Sequence, residues 1–209
     1  MIKNTPNVYS HRLKFLQSGR TCGANRVLLG LGANISGAWG PPERTLLRAL
    51  EELSARGLAP LGRSPIFRST PVGPGRQPDF LNAVVMTQAS LAPMAMLRLV
   101  KHLESQAGRR YGRRWGPRPL DIDILDYGGR RLGWPPGRRR RGRLILPHPE
   151  AHRRAFVLMP LAAVAPRWRH PVLAATAQAL LGRLGWLRRH GIAVKPLISC
   201  PPRAKNAPE

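Results

Sequence analysis

Apolar residues along the chain follow two kinds of pattern, short continuous runs and runs at helical spacing. The continuous runs predict strands over residues 26–32, 80–87 and 120–125, a ragged strand over 58–69 and a short one over 144–146. Helical spacing follows Pro42 and Pro93, because proline suits a first helical turn, and Gly57 and Gly108 fit the helix ends. Two further helices are predicted at about 156–164 and 173–184.

The order of these elements is β-α-β-β-α-β with a short additional strand. This order is typical of an α+β fold in which helices pack on a mostly antiparallel sheet. We expect one domain over residues 26–186, preceded by an N-terminal extension (1–25) and followed by a C-terminal tail (187–209). A solvated segment is predicted to begin at residue 127 and to include an arginine-rich insertion at 134–143.

Composition allows a folded domain and leaves charge as the unusual property. Of the 209 residues, 43% are hydrophobic and 22% charged, which argues against wholesale disorder. The 35 lysines and arginines against 10 acidic residues give a net charge of +25, so a basic nucleic-acid-binding protein is one alternative. Against that alternative, the densest basic run (138–141) lies in the insertion, and only 6% of the residues are aromatic.

Cysteine usage and apolar run lengths indicate the compartment. Cys22 and Cys200 lie near opposite ends of the chain, which argues against a disulfide framework and favours a reducing, cytoplasmic compartment. The apolar stretch at 155–166 is too short to cross a membrane and is interrupted by Pro160. We expect a cytoplasmic monomer with no membrane partner and no specific nucleic-acid partner.

Two of the four aspartates, Asp121 and Asp123, lie in one predicted strand. Alternate strand residues share a face and lie about 6.6 Å apart at about 3.3 Å per residue, so Ile122 and Ile124 face the core instead. Paired carboxylates of this kind favour one or two Mg²⁺ ions. Four arginines that can grip a polyphosphate precede the pair: Arg109, Arg113, Arg114 and Arg118. The alternative is a half-exposed polar strand face whose aspartates merely pair with these arginines.

Two other groups of residues are candidates for binding. Phe80 and Asn82 are predicted on one strand face, where a ring can stack on the phenylalanine while the amide both donates and accepts hydrogen bonds. His148 lies between two prolines that restrict the backbone around it. The alternatives are a core phenylalanine and a structural histidine. The glycines near Asn34 do not form a complete nucleotide-binding pattern.

Taken together and in order, these motifs resemble the 6-hydroxymethyl-7,8-dihydropterin pyrophosphokinase family. The resemblance covers about residues 27–180 and is strongest from Arg114 to Ile124. The matching segments are LGLGAN from Leu29, STPVG from Ser69, QPDFLNA from Gln77, Glu104 with Gly108 and Arg109, RWGPR from Arg114, LDIDI from Leu120, Pro147 with His148, and RAFVL from Arg154.

The resemblance implies a ferredoxin-like α+β sandwich that transfers the pyrophosphoryl group of MgATP to the pterin hydroxymethyl oxygen and releases AMP. It implies that Asp121 and Asp123 hold two Mg²⁺ ions and act in catalysis with Arg109, Arg118 and His148. The implied ATP-binding residues are Arg109, Arg114, Trp115, Arg118, Ile124, His148 and Arg154. The implied pterin-binding residues are Ser69, Val72, Phe80, Asn82, Trp115 and Phe156. A family member that binds pterin or nucleotide without catalysis is the remaining alternative.

Overall fold

One antiparallel sheet forms the centre of the computed structural model, which describes residues 24–71, 76–110, 116–135 and 143–185. Its strands are β1 (Asn25–Ala33), β2 (Pro60–Arg63), β3 (Phe67–Ser69), β4 (Phe80–Ala89) and β5 (Asp121–Tyr127). Their order is β2-β4-β1-β5, and β3 pairs with the same edge of β4 as β2 does. With the β2–β3 edge counted as one position, this is the ferredoxin-like order, and the expected α+β fold is confirmed.

Within the described residues, the α-helices are α1 (Pro42–Ser54), α2 (Pro93–Gln106), α3 (Ala155–Val164) and α4 (Ala177–Arg183). Pro42 and Pro93 lie in the first turns of α1 and α2, as predicted. Proline is tolerated there because the backbone N–H groups of a first turn have no acceptor within the helix. Gly57 ends α1 with a φ of 77°, a conformation that favours glycine. The end is closed because the backbone N–H of Leu58 donates to the carbonyl of Leu53 at 3.0 Å.

The first face of the sheet is a continuous apolar surface. Val27, Leu29 and Leu31 of β1 point to this face and are buried, as are Ile122 and Ile124 of β5. Helices α1 and α2 cover it with the side chains Leu46, Ala49, Leu53, Met96, Val100 and Leu103. The helical spacing in the sequence therefore corresponds to one buried core.

The second face of the sheet is apolar over only part of its length. Leu28, Val84 and Leu125 pack there against α3 and α4. Further along the same face, Gly32 of β1 pairs with Asn82 of β4 on one side and with Asp121 of β5 on the other. The sheet thus lies between two helical layers, and the second layer leaves part of the sheet uncovered.

Two predicted strands differ from the structure. The single strand over 58–69 is wrong, because Ser64 interrupts the edge and divides it into β2 and β3. The hydroxyl of Ser64 accepts the backbone N–H of Val84 at 2.9 Å, in place of a regular ladder bond. The strand over 144–146 is also wrong: Leu146 makes only an isolated bridge with Leu132. Pro147 follows Leu146 and offers no N–H to continue a ladder.

Two predicted boundaries near β5 and α4 are wrong as well. A bulge in β5 leaves Leu125 without a partner on β1 and turns Tyr127 into the first-face core, where its hydroxyl donates to the carbonyl of Leu91. Residue 127 is therefore buried rather than solvated. Helix α4 begins at Ala177 rather than near 173, because the Thr176 hydroxyl accepts the backbone N–H of Ala179 and caps the helix.

Some sequence predictions lie outside the described residues. They concern most of the N-terminal extension, the C-terminal tail and most of the 134–143 insertion. Among the residues that the structure describes, no helix is long and apolar enough to cross a membrane.

Candidate active site

A cavity of about 260 Å³ lies over the uncovered part of the second sheet face. Gly30 and Gly32 form its floor, and Asp121, Asp123 and Asn82 flank these glycines on the neighbouring strands. A Cβ at Gly32 would stand 3.6 Å from Asn82 Oδ1, so a side chain is sterically allowed there but would occupy the cavity. The glycines of the LGLGAN segment therefore provide space above the sheet.

Asp121 is paired through both of its carboxylate oxygens. One carboxylate oxygen accepts a hydrogen bond from Arg109, and the other accepts one from Arg118. Burial by itself raises the pKa of the Asp121 carboxyl, but the two guanidinium groups outweigh burial and bring this pKa below its usual value. Asp121 is therefore an anion held between two arginines.

Glu104 of α2 is a second acidic partner of Arg109, in addition to Asp121. One of its carboxylate oxygens accepts hydrogen bonds from Lys101 Nζ at 2.7 Å and from the Ile122 backbone N–H at 2.8 Å, and it lies 2.8 Å from Arg109 Nη1. The residue is only 3% exposed, and this burial raises the pKa of its carboxyl. Sequence reasoning assigned Glu104 no role. The available signal was an acidic residue on the apolar face of α2, four residues after Val100.

Asn34 is a second residue to which sequence reasoning gave no role. Its side-chain oxygen accepts the backbone N–H of Arg118 at 2.7 Å, and its own backbone N–H donates to the Arg118 carbonyl at 3.0 Å. Its amide nitrogen donates to Gln77 Oε1 at 3.2 Å and to the Pro78 carbonyl at 3.0 Å. Asn34 thereby joins the loop that carries Arg118 to the loop that leads into β4.

His148 lies beside Asp123, with Nε2 at 3.9 Å from a carboxylate oxygen. The backbone N–H of His148 donates to the Leu125 carbonyl at 2.9 Å, and its Nδ1 accepts the backbone N–H of Glu150 at 3.2 Å. Neutral His148 therefore carries its proton on Nε2, toward Asp123. Burial lowers the pKa of His148; Asp123 opposes this shift and Arg154 adds to it.

The other end of the cavity suits a flat ring. Phe80 and Asn82 line it from β4, and Phe156 lines it from α3. The amide nitrogen of Asn82 donates to Ser69 Oγ at 2.9 Å, and both residues are buried, which fixes the orientation of the amide. The guanidinium of Arg154 lies 5.7 Å from the Phe156 ring centroid.

The structure brings most of the predicted site residues to this one cavity. Arg109 reaches the site through its hydrogen bond to Asp121. The predicted site residues that line the cavity are Ser69, Phe80, Asn82, Arg118, Asp121, Asp123, His148, Arg154 and Phe156.

One predicted position differs from this set, and three others are not tested by it. The nucleotide contact expected of Ile124 is not available to its side chain, which strand alternation places in the first-face core with 4% exposure. Val72, Arg114 and Trp115 lie outside the described residues.

The two carboxylates fit a magnesium ion in their donor chemistry. Asp121 and Asp123 offer only oxygen atoms on one face of β5. Within the described ranges there is no group of three or more histidine, cysteine or acidic side chains that could enclose a metal by itself. An incomplete set of this kind suits Mg²⁺, which proteins commonly hold through one or two carboxylates while substrate phosphates and water supply the other ligands.

Paired carboxylates, arginines and two aromatic rings in one cavity of an α+β fold are typical of one class of protein, an enzyme that brings a polyphosphate to a planar substrate. Residues 28–166 match the family model described as 7,8-dihydro-6-hydroxymethylpterin-pyrophosphokinase. The chain belongs to this family.

Individual relatives agree with the family match. A 2-amino-4-hydroxy-6-hydroxymethyldihydropteridine pyrophosphokinase of Methylorubrum extorquens is 41% identical over 142 residues, covering 68% of this chain and 83% of the relative. The protein of the same name from Pseudomonas aeruginosa is 40% identical over 148 residues, covering 70% of this chain and 84% of the relative.

Solved structures support the fold independently. Plasmodium falciparum HPPK-DHPS, wild type with SDX-DHP, aligns with a TM-score of 0.56 over 80% of this chain at 14% identity. At that identity the likeness shows the fold alone. This chain spans 45% of the length of that protein.

Proposed function

We propose that the chain transfers the pyrophosphoryl group of ATP to the hydroxymethyl oxygen of 6-hydroxymethyl-7,8-dihydropterin in folate biosynthesis, releasing AMP. The observation that carries the proposal is the presence of two kinds of binding group in one cavity. Asp121 with its two arginines lies at one end, and Phe80, Asn82 and Phe156 lie at the other. Family membership supports the same reaction.

The ring end would bind the pterin. Phe80 and Phe156 offer aromatic surfaces for stacking on a planar heterocycle. Ser69 accepts one N–H of the Asn82 amide, and the Asn82 amide oxygen has no hydrogen-bond partner among the described residues. This oxygen can therefore accept hydrogen bonds from the ring edge. A fixed amide of this kind selects a ring by its donor and acceptor pattern, because a mismatched edge would leave a buried polar group unpaired.

The charged end would bind the triphosphate. Arg109, Arg118 and Arg154 supply guanidinium groups that can form paired hydrogen bonds to phosphate oxygens. Neutral His148 offers the N–H of Nε2. Asp121 and Asp123 would hold Mg²⁺, two ions in this proposal, and bound Mg²⁺ supplies neutralisation of the charge on the transferred group. Because its pKa is lowered and both its oxygens accept from arginines, Asp121 is a weak base for the substrate hydroxyl.

Nucleotide product analysis tests the function. The full chain is incubated with ATP, Mg²⁺ and the pterin alcohol, and AMP and ADP are quantified by ion-exchange chromatography. AMP formed only when pterin and metal are both present is the expected result. ADP would indicate transfer of a single phosphoryl group, and pterin binding without turnover would indicate a non-catalytic family member.

The proposal includes two finer expectations, that the enzyme is a monomer and that it works in the cytoplasm. Light scattering on the purified full chain measures its mass against 23.1 kDa. A dimer would contradict the first expectation without affecting the proposed reaction.

A further inference from the structure

The arginines assigned to the triphosphate are bound to the carboxylate assigned to the metal. Arg109 and Arg118 each donate to a different oxygen of Asp121, so both of its oxygens are engaged. A guanidinium that faces this carboxylate cannot present the same N–H groups to a phosphate. An oxygen that accepts from arginine is likewise hindered as a metal ligand. The two functions of this cluster therefore compete for the same atoms.

We propose that Asp121, besides holding the metal, positions Arg109 and Arg118 until metal and nucleotide arrive together. In this exchange the cation takes the place of the two guanidinium groups on Asp121, and the released guanidinium groups turn to the phosphates. The inference rests on the proposed function, because it takes ATP with a divalent cation as the ligand.

The backbone around the cluster favours movement of side chains alone. Asn34 holds the backbone of Arg118 through both its N–H and its carbonyl, so the guanidinium can move while its attachment stays in place. Arg109 has a second partner in Glu104, at 2.8 Å, which keeps it beside the cavity after it leaves Asp121. The side chains of both arginines are about a quarter exposed, at 25% and 27%, which leaves room for reorientation.

Charge balance explains why the two halves of the exchange belong together. If the metal alone displaced the arginines, Arg118 would lose the carboxylate that it pairs with among the described residues, and Arg109 would keep only Glu104. If ATP alone took the arginines, the Asp121 carboxylate would lose both of its partners. Leaving a buried charge unpaired is costly, so each ligand binds better when the other is present.

Binding of Mn²⁺ without nucleotide tests the first half. The proposal expects Arg118→Met to strengthen this binding by about tenfold. This factor corresponds to a shift of about one pKa unit, which is what one adjacent arginine causes in a carboxyl group. Arg154→Met is the matched control, because it removes one positive charge from the same cavity at the residue that contacts the Phe156 ring. Free Mn²⁺ is measured by electron paramagnetic resonance, and the control is expected to change the affinity by less than about threefold.

Binding of ATP in the presence of a chelator tests the second half. Asp121→Asn removes the carboxylate that holds the arginines and is expected to strengthen metal-free ATP binding by about tenfold. Asp123→Asn is the matched control. It removes the same charge from the same face of β5, at a carboxylate whose oxygen lies 3.9 Å from Nε2 of neutral His148. Simple relief of repulsion would make the two variants equal, so a clear excess for Asp121→Asn supports the exchange.

The outcomes separate this inference from the proposed function. Equal effects within both pairs of variants, or no effect of Arg118→Met on Mn²⁺, would overturn the exchange even if the wild-type chain forms AMP. A clear difference within both pairs would support the exchange even if no AMP is formed, because neither titration depends on turnover.

Discussion

The two faces of the β4-β1-β5 sheet carry opposite kinds of residue although they belong to the same strands. On the first face, Leu29 and Ile122 are at most 1% exposed beneath α1 and α2. On the second face, Gly32, Asn82 and Asp121 form one row across the sheet and line a cavity. The first face stabilises the strands by burial, while the second uses their fixed spacing to align polar groups. Stability and function can therefore be altered separately by substitutions one residue apart.

The largest expected effect is on the second face. Asp123→Ala should lower kcat for AMP formation by about 10³-fold, because it removes a group that stabilises charge on the transferred phosphates. Pterin affinity, measured by calorimetry, and the free energy of unfolding should stay close to the wild-type values. Near-normal turnover would contradict the assignment of Asp123 to the metal.

The next largest effect is on the first face. Leu29→Ala should lower the free energy of unfolding by about 3 kcal/mol, since it leaves a cavity beneath α1 and α2. Urea denaturation followed by circular dichroism measures the change. At a temperature where the variant is folded, its KM for ATP should match the wild type; a large rise in KM would show that the two faces are not separable.

A buried histidine beside the covered part of the second face extends the comparison to pH dependence. His170 is fully buried, and its Nδ1 accepts backbone N–H groups from Val172 and Leu173 at 3.2 Å. Burial, with smaller contributions from His152 and Arg131, lowers its pKa to about 4. Between pH 6.5 and about pH 4, His170 is protonated in the unfolded chain and neutral in the folded chain. The free energy of unfolding therefore decreases as the pH falls through this range.

His170→Phe should therefore reduce the loss of unfolding free energy between pH 6.5 and 4.5 by roughly 2 kcal/mol. Phenylalanine keeps an aromatic ring beside Trp134 and Trp168, which contact His170 edge-on. Urea titrations at the two pH values give the difference. An unchanged pH dependence would show that His170 is already neutral in both states or charged in the fold.

The smallest effect concerns the ring end of the cavity. Phe156→Ala should weaken pterin binding by about 1.5 kcal/mol, roughly tenfold, through loss of one stacking surface. ATP binding should change less, because Arg154 would keep its charge. Fluorescence titration with the pterin measures the first affinity and calorimetry the second. A larger loss for ATP than for pterin would place the nucleotide, rather than the pterin, against this ring.

The division of the sheet into an apolar face and a polar face could largely be predicted from the sequence. The predictions that were wrong have physical causes. The alternation around Asp121 and Asp123 predicted correctly which residues face the core. The bulge at Leu125 could not be predicted, since it depends on the register with β1, and it moved Tyr127 into the core. Ser64 divides the edge strand by a hydrogen bond to a residue 20 positions away, a contact that local patterning cannot indicate.

The sequence by itself determined the α+β fold class, the family and the residue types of the candidate site, because each depends on local periodicity or on short motifs. Only the tertiary structure decided how the charges are paired. Glu104 reaches Arg109 and Ile122 from a helix, and Asn34 meets Arg118 across 84 positions of chain. Such pairings depend on the packing of α2 and on the register of β1 with β5. Hence the sequence supplied the charged and polar groups, and the fold selected their partners.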